Sequence, residues 1–272
     1  MLPKFYLGSL EISSYNFFNI LAVPVSILCN LLLLRYQWDV QSGWLRLLLR
    51  KELLRRKKLL AVAETALVTV AVFGLGVLGN RFWAYALWGS GGNYFGLLYF
   101  SPLLVIPTLL LLRINPLKLL DRYAPSYAIS LVFFKLACHF CGCCEGKEWK
   151  YGFYNVAVEQ YTFPSQLLEM AVALVLFFVL LRMIRKPHIP GTIFPVYMLL
   201  YSGTRFFTEF TRAGDFIYFG LCAYQIQCLL GIWIGGTWLL IAREYGRKWS
   251  DAFDRKQEAY IQKKQKENPK GT

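Results

Sequence analysis

Charge is scarce in this chain. Asp, Glu, Lys and Arg make up 17% of its 272 residues, against about 25% in an ordinary soluble domain, while hydrophobic residues reach 56%. That balance excludes a soluble globular domain. No internal repeat stands out, which counts against the inverted-repeat plan of many secondary transporters. No glycine-rich phosphate loop or other nucleotide motif occurs, so no energy cofactor is expected. The N-terminus has one Lys and no small-residue cleavage site before Phe17, so no cleavable signal peptide is expected and the first apolar run should stay in the mature protein. Cys and His crowd into one stretch without the second, separated ligand group of a structural zinc site, so no metal is expected.

What the chain has instead is length of apolar sequence. Seven runs approach or exceed what is needed to cross a hydrocarbon core of about 30 Å. They are approximately Phe17–Leu34, Leu59–Leu78, Tyr94–Leu112, Pro125–Cys141, Pro164–Leu181, Pro190–Phe207 and Ile217–Ile241, the fourth being the shortest. The expected fold is an all-α bundle, a single membrane domain over 1–242 with a basic cytoplasmic tail over 243–272 that extends as a frayed helix. With the N-terminus outside, the loop Arg35–Lys58, the segments Arg113–Arg122 and Arg182–Lys186, and the tail hold eight, three, three and nine Lys or Arg. That is 23 of 30 on the inside, which sets the orientation as N-out, C-in. The +14 net charge is thus a membrane signature. Nucleic acid is not expected as a partner, since the basic residues flank spans and form no recognition motif.

Within the inner loop, Trp44–Lys58 alternates leucines with Lys and Arg at helical spacing, as an interfacial amphipathic helix does. The outer loop 142–163 carries Trp149, Tyr151, Phe153, Tyr154 and Tyr161, which suit an interfacial aromatic belt or a lid.

Ionisable residues at membrane depth are expensive, so each asks for a reason. The segment Tyr201–Arg212 reads YSGTRFFTEFTR and places Tyr201, Arg205 and Glu209 four apart on one helix face, with Arg212 beyond. A guanidinium oriented by a carboxylate grips a phosphate; the same pair can also merely lock two helices together. Asp121 lies in DRYAP, where Pro125 suits the first turn of the fourth helix, and Lys135 falls inside the apolar run that follows. Pro164 opens a helix in which Gln166 and Glu169 share a face, and Arg81 closes the second span. Snorkelling, capping and polar pairing explain any one of these singly, yet all can converge on the outer half of one bundle.

The stretch CHFCGCC holds Cys138, His139, Cys141, Cys143 and Cys144 at the outer end of the fourth span. Packing, thiol redox pairing and metal binding are all open to it.

These motifs, in this order, resemble the prolipoprotein diacylglyceryl transferases, bacterial membrane enzymes that put the first lipid on lipoproteins. The resemblance runs from Tyr15 to about Gly235. It rests on Tyr15 at the first span, Gly79 and Arg81 ending the second, and Asp121, Ala124 and Pro125. It continues with Pro164, Ser165, Gln166, Leu167 and Glu169, then Tyr201, Arg205, Phe206, Glu209 and Arg212, and Gln225 in the last span. The chain also departs from the family. Lys135 stands where the family has Arg, Cys138 where it has Asn and Cys143 where it has Glu, and Ser202 replaces a Gly. The family's His-Gly motif has no match in SGGNYFG, where Ser90 and Tyr94–Gly96 lie.

The resemblance implies transfer of the diacylglyceryl group of phosphatidylglycerol to the lipobox cysteine of a prolipoprotein, in the cytoplasmic membrane of a bacterium. A thioether forms and glycerol phosphate leaves. Arg205 would hold the phosphate with help from Lys135 and Arg81, and Glu209 and Asp121 would orient those cations. Tyr15, Tyr201 and Gln166 would contact glycerol or phosphate oxygens, with Arg212 completing the binding set. His139 is the only nearby imidazole to replace the lost base. Two other classes remain: a silent homologue that binds lipid or lipoprotein precursor, and a thiol-redox or metal protein run by Cys138–Cys144.

The charge asymmetry makes the orientation testable. In a Cys-free background, Lys4→Cys should react with an impermeant thiol reagent in intact cells and Lys270→Cys should not; the reverse labelling would overturn N-out, C-in.

Overall fold

A computed structural model describes residues 4–7, 10–34, 57–88, 94–214 and 220–267. The stretch 35–56, with most of the expected interfacial helix, lies outside the described residues, as does Ser90. The described residues form seven α-helices: α1 Ser14–Leu34, α2 Lys57–Trp88, α3 Tyr94–Leu111, α4 Pro116–Cys141, α5 Ser165–Ile184, α6 Ile193–Thr208 and α7 Ala223–Glu267. Two antiparallel hairpins accompany them, β1 Lys4–Leu7 with β2 Leu10–Ser13, and β3 Glu148–Asn155 with β4 Gln160–Thr162. Six of the helices are long and apolar enough to cross a membrane, so the chain is a multi-pass membrane protein. The seventh, α6, has only 16 residues, about 24 Å at 1.5 Å per residue.

The fourth run is not the shortest helix. α4 has 26 residues and starts at Pro116, so Pro125 sits inside it rather than in its first turn. The start signal is Asn115–Pro116. The Asn115 side-chain oxygen accepts the Lys118 N–H at 3.4 Å, and Pro116 takes the first helical position, where a missing N–H costs nothing.

Close contacts divide the described chain into two compact units. The first comprises Met1–Ser26, Ala124–Lys186 and Pro195–Gly236. Its core includes Leu131, Ala173, Leu176, Leu180, Tyr197 and Tyr201. The second comprises Ile27–Tyr123, Pro187–Phe194 and Thr237–Thr272, with Phe95, Leu98, Leu120, Tyr123, Ile193 and Phe194 among its buried residues. In the second unit α2 and α3 approach so closely that a Cβ on Gly79 would meet Phe100 at 2.8 Å and one on Gly96 would meet Trp83 at 2.6 Å. Small residues at such crossings let helix backbones touch where lipid supplies no hydrophobic drive. Large apolar side chains such as Leu67, Phe178 and Trp233 are exposed on the spans, as a lipid-facing surface requires.

The basic tail is not a frayed extension. α7 runs unbroken for 45 residues, and its polar half is tied back onto the α3–α4 turn. The Asn115 amide donates to Ser250 Oγ and Asp254 Oδ1, each at 3.0 Å. Lys118 Nζ pairs with Asp254 at 2.6 Å, Gln257 donates to the Arg113 carbonyl at 2.6 Å, and the Arg113 guanidinium lies 3.5 Å over the Tyr260 ring.

Asp121 also acts within the second unit. Its Oδ2 accepts the Gly191 N–H at 2.7 Å, and its Oδ1 accepts those of Ile193 and Phe194 at 2.9 and 3.0 Å. A buried carboxylate from α4 thus caps the N-terminus of α6, where free N–H groups and the helix dipole favour negative charge. His188 is 3.7 Å from the same carboxylate. Asp121→Ala should lower stability by about 2–3 kcal/mol, with Asp121→Asn recovering part of it. Thermal unfolding in detergent reads the difference, and equal stability of all three chains would remove the capping role.

A buried ionic cluster as candidate active site

Glu169 lies in the second turn of α5 and is 5% exposed. Helix and loop geometry bring three cations to its carboxylate. Lys135, in the last two turns of α4, places Nζ 2.5 Å from Oε2. Arg205, in the last turn of α6, places Nε 3.6 Å from the same oxygen. Arg212 Nη1 donates to Oε1 at 3.1 Å. Glu209 supplies the second carboxylate, in contact with Arg205 Nη1 and 3.9 Å from Arg212 Nε.

The stripe Tyr201–Arg205–Glu209 is therefore not one uninterrupted α-helix. α6 ends at Thr208, the chain tightens into a 3₁₀ turn over Glu209–Thr211, and Arg212 is extended at φ −94° and ψ 151°. This change of pitch is what swings Arg212 back towards Glu169. The turn is held against the strand leading into β3. Lys147 N–H donates to the Thr211 carbonyl at 2.9 Å, Ala213 N–H to that of Glu145 at 3.2 Å, and Gly146 bridges Arg212. On its other side, a Cβ at Gly146 would overlap the Phe163 carbonyl, so only glycine lets this strand lie against the segment that leads into α5.

Burial works against the Arg212 charge, but Cys144, Glu169 and Glu209 outweigh it and hold the guanidinium above its ordinary pKa. Ionised, the cluster has three cations and two carboxylates. Cys144, whose thiol beside Arg212 is held well below its ordinary pKa, supplies a third negative charge. A narrow cleft with only about 10 Å³ of open space adjoins it, lined by Leu131, Ala173, Leu176, Tyr201 and Thr204 together with Glu169 and Arg205. Gln166, on the first turn of α5, donates to the Cys143 carbonyl at 2.8 Å, while its own Oε1 is buried without a hydrogen-bond partner among the described residues.

The cysteine run is not uniform. Sγ atoms of Cys138, Cys143 and Cys144 lie within 4.8 Å of one another, and Cys141 is not among them. Hydrogen bonds from Cys138 and Cys143, then the charges of Lys135 and Arg212, hold the Cys144 thiol well below its ordinary pKa, whereas hydrogen bonding to Cys138 and Cys144, with burial, pushes Cys143 up. Tyr15, in the first turn of α1, hydrogen-bonds Asn19 within electrostatic reach of these thiols.

Of the residues singled out from sequence, Lys135, Arg205, Glu209 and Arg212 meet directly, and Tyr201 joins Arg205 in lining the cleft. Gln166 and Tyr15 border the thiols. Asp121 is engaged as a helix cap, so its carboxylate does not orient a cation of this cluster. Arg81 is exposed on α2, in the second unit. His139 packs edge-on between Phe140 and Phe153, with centroids 5.9 and 5.8 Å away and a buried Nδ1 that has no hydrogen-bond partner. Glu169 was absent from the sequence-derived candidates although it is the centre of the cluster. Its signal was the Pro-Ser-Gln-Leu-x-Glu motif, in which it was weighed only as a local partner of Gln166.

Fold and site together define a multi-pass helical membrane protein that buries a cation-rich cluster where three helices and a hairpin meet. The model of the family described as prolipoprotein diacylglyceryl transferase matches residues 4–242, and the chain belongs to that family. Over 106 residues it is 33% identical to the phosphatidylglycerol–prolipoprotein diacylglyceryl transferase of Clostridium tetani (strain Massachusetts / E88). That match covers 36% of this chain and 42% of the relative, so it spans less than half of the relative's length.

The cluster has a hierarchy that can be measured. Glu169→Ala leaves three buried cations short of a partner and should cost about 3–5 kcal/mol, more than Glu209→Ala. Thermal unfolding of the two variants in detergent would reverse this hierarchy if Glu209→Ala proved the less stable.

Proposed function

We propose that this protein transfers the diacylglyceryl group of phosphatidylglycerol to the cysteine thiol of a lipoprotein precursor in the cytoplasmic membrane of a bacterium. The observation that carries the reading is the convergence of three buried cations on Glu169, beside a narrow apolar cleft. A phospholipid brings a phosphate charge that these cations complement, and its acyl chains stay in the surrounding bilayer.

Arg205 binds the phosphate with Lys135 beside it, and their charge stabilises the glycerol phosphate as it departs. Glu169 and Glu209 fix the direction of the cations, so little reorganisation is needed as charge moves onto the leaving oxygen. Gln166 Oε1, an acceptor buried without a partner among the described residues, takes a hydroxyl of the glycerol, because a filled donor there removes a desolvation penalty. The thiol sulfur attacks the glyceryl carbon, a C–S bond forms and the C–O bond to phosphate breaks. The phospholipid carries its own leaving group, so no second energy source enters the step.

Purified protein mixed with phosphatidylglycerol and a lipobox peptide should add a diacylglyceryl mass to the peptide cysteine and release glycerol phosphate. Arg205→Lys and Arg205→Ala should each lower the rate by about 100-fold or more, because a point charge does not reproduce the fork. Mass spectrometry reads both. Unchanged rates would move the phosphate site elsewhere, and absence of product with every lipid would leave a lipid-binding homologue.

A further inference from the structure

The three converging thiols are not used by that reaction as described. Cys138 comes from the last turn of α4, and Cys143 and Cys144 from the turn that follows. That turn is built to hold them. Gly142 and Cys144 both have left-handed backbone, at φ 81° and 61°, the second a conformation a non-glycine residue adopts only under outside constraint. Asn155 Nδ2 holds the Gly142 carbonyl at 2.9 Å, and Gln166 Nε2 holds that of Cys143 at 2.8 Å. All three cysteines are free thiols, partly buried, at the ionic cluster rather than in an apolar core. Packing alone would treat Cys141 alike, yet Cys141 is outside the trio.

We propose that Cys138, Cys143 and Cys144 form a three-thiolate site for a thiophilic divalent ion, zinc, with its fourth position open to the acceptor thiol. Zinc takes sulfur at about 2.3 Å in tetrahedral geometry, which needs sulfurs roughly 3.8 Å apart, a small side-chain rotation from the arrangement seen. Three protein ligands with one open position is the pattern of reactive rather than structural zinc. The role in transfer rests on the function proposed above and supplies what that function lacks. Both cluster carboxylates are committed to cations, whereas a thiol that binds zinc loses its proton outright. The acceptor S–H would release that proton to solvent, and its sulfur would attack the glyceryl carbon as the C–O bond to phosphate breaks. The resulting thioether, a weaker donor than the thiolate, then leaves the ion.

The test uses the full chain in detergent, reduced and stripped with a chelator. Cobalt(II) should give a near-ultraviolet sulfur-to-metal band that saturates at one ion per chain and is abolished by zinc. Cys143→Ser and Cys144→Ser should weaken cobalt binding by more than the roughly 10–100-fold that loss of a supporting contact costs, and Cys141→Ser should not. If the serine variants do not fold, alkylation of the unmutated chain decides: zinc should protect Cys138, Cys143 and Cys144, and leave Cys141 reactive. No cobalt band, equal protection of Cys141, or a disulfide within the trio would overturn the site. Metal that binds but leaves transfer unaltered when removed would overturn the acceptor role alone. No thioether with or without metal would count against the transferase reading, and the cobalt and alkylation results would still decide the site.

Discussion

One carboxylate organises the functional end of this protein. Glu169 takes charge from Lys135, Arg205 and Arg212, which come from α4, α6 and the turn after α6, so a single residue of α5 fixes the relative positions of all three. Such an arrangement is costly to bury and is justified only by its completeness. A lone buried cation would shed its proton or unfold its surroundings, while a cation shared between carboxylates stays charged. The 3₁₀ turn over Glu209–Thr211 and the glycine at 146 follow from this need. The first turns the backbone so that Arg212 faces Glu169, and the second lets the strand after the thiol-bearing turn pack against Phe163.

The membrane architecture was legible because hydropathy depends on composition, which folding does not alter. Each of the seven apolar runs corresponds to a helix, and the fold class follows directly. Boundaries were less legible where polar residues sit inside a helix. α4 begins at Pro116, but Lys118, Asp121 and Arg122 dilute its hydropathy, so the run is recognised only from Pro125. The polar composition of the tail suggests a frayed helix. Its order comes from Asn115, Lys118 and Arg113, which are more than 130 residues away along the chain and leave no trace in local pattern.

The same distinction governs the site. Arg205 with Glu209 could be read from i, i+4 spacing because both partners lie on one stretch. Glu169 could not be recognised as the hub from spacing, since its cations are 34 to 43 residues away. Asp121 shows the opposite error. A buried carboxylate near basic residues suggests an ion pair, whereas three backbone N–H groups at the start of α6 satisfy it. Periodicity reports which residues share a face, but not what faces them.

Three of the departures from the family pattern named above lie close together in sequence and structure. Lys135, Cys138 and Cys143 replace Arg, Asn and Glu on one helix end and its turn. Lys135 keeps a positive charge against Glu169 without the two-pronged grip of a guanidinium, whereas Arg205 is pinned by two carboxylates. Replacing a Glu by Cys143 beside Cys138 and Cys144 removes one negative charge and introduces a set of soft donors at the same position. A site altered at random would lose its charge complementarity, because an uncompensated buried ion is destabilising whatever its function. Here three cations still face Glu169 while soft sulfur donors stand on the turn beside them, so charge balance is kept where the donor chemistry differs.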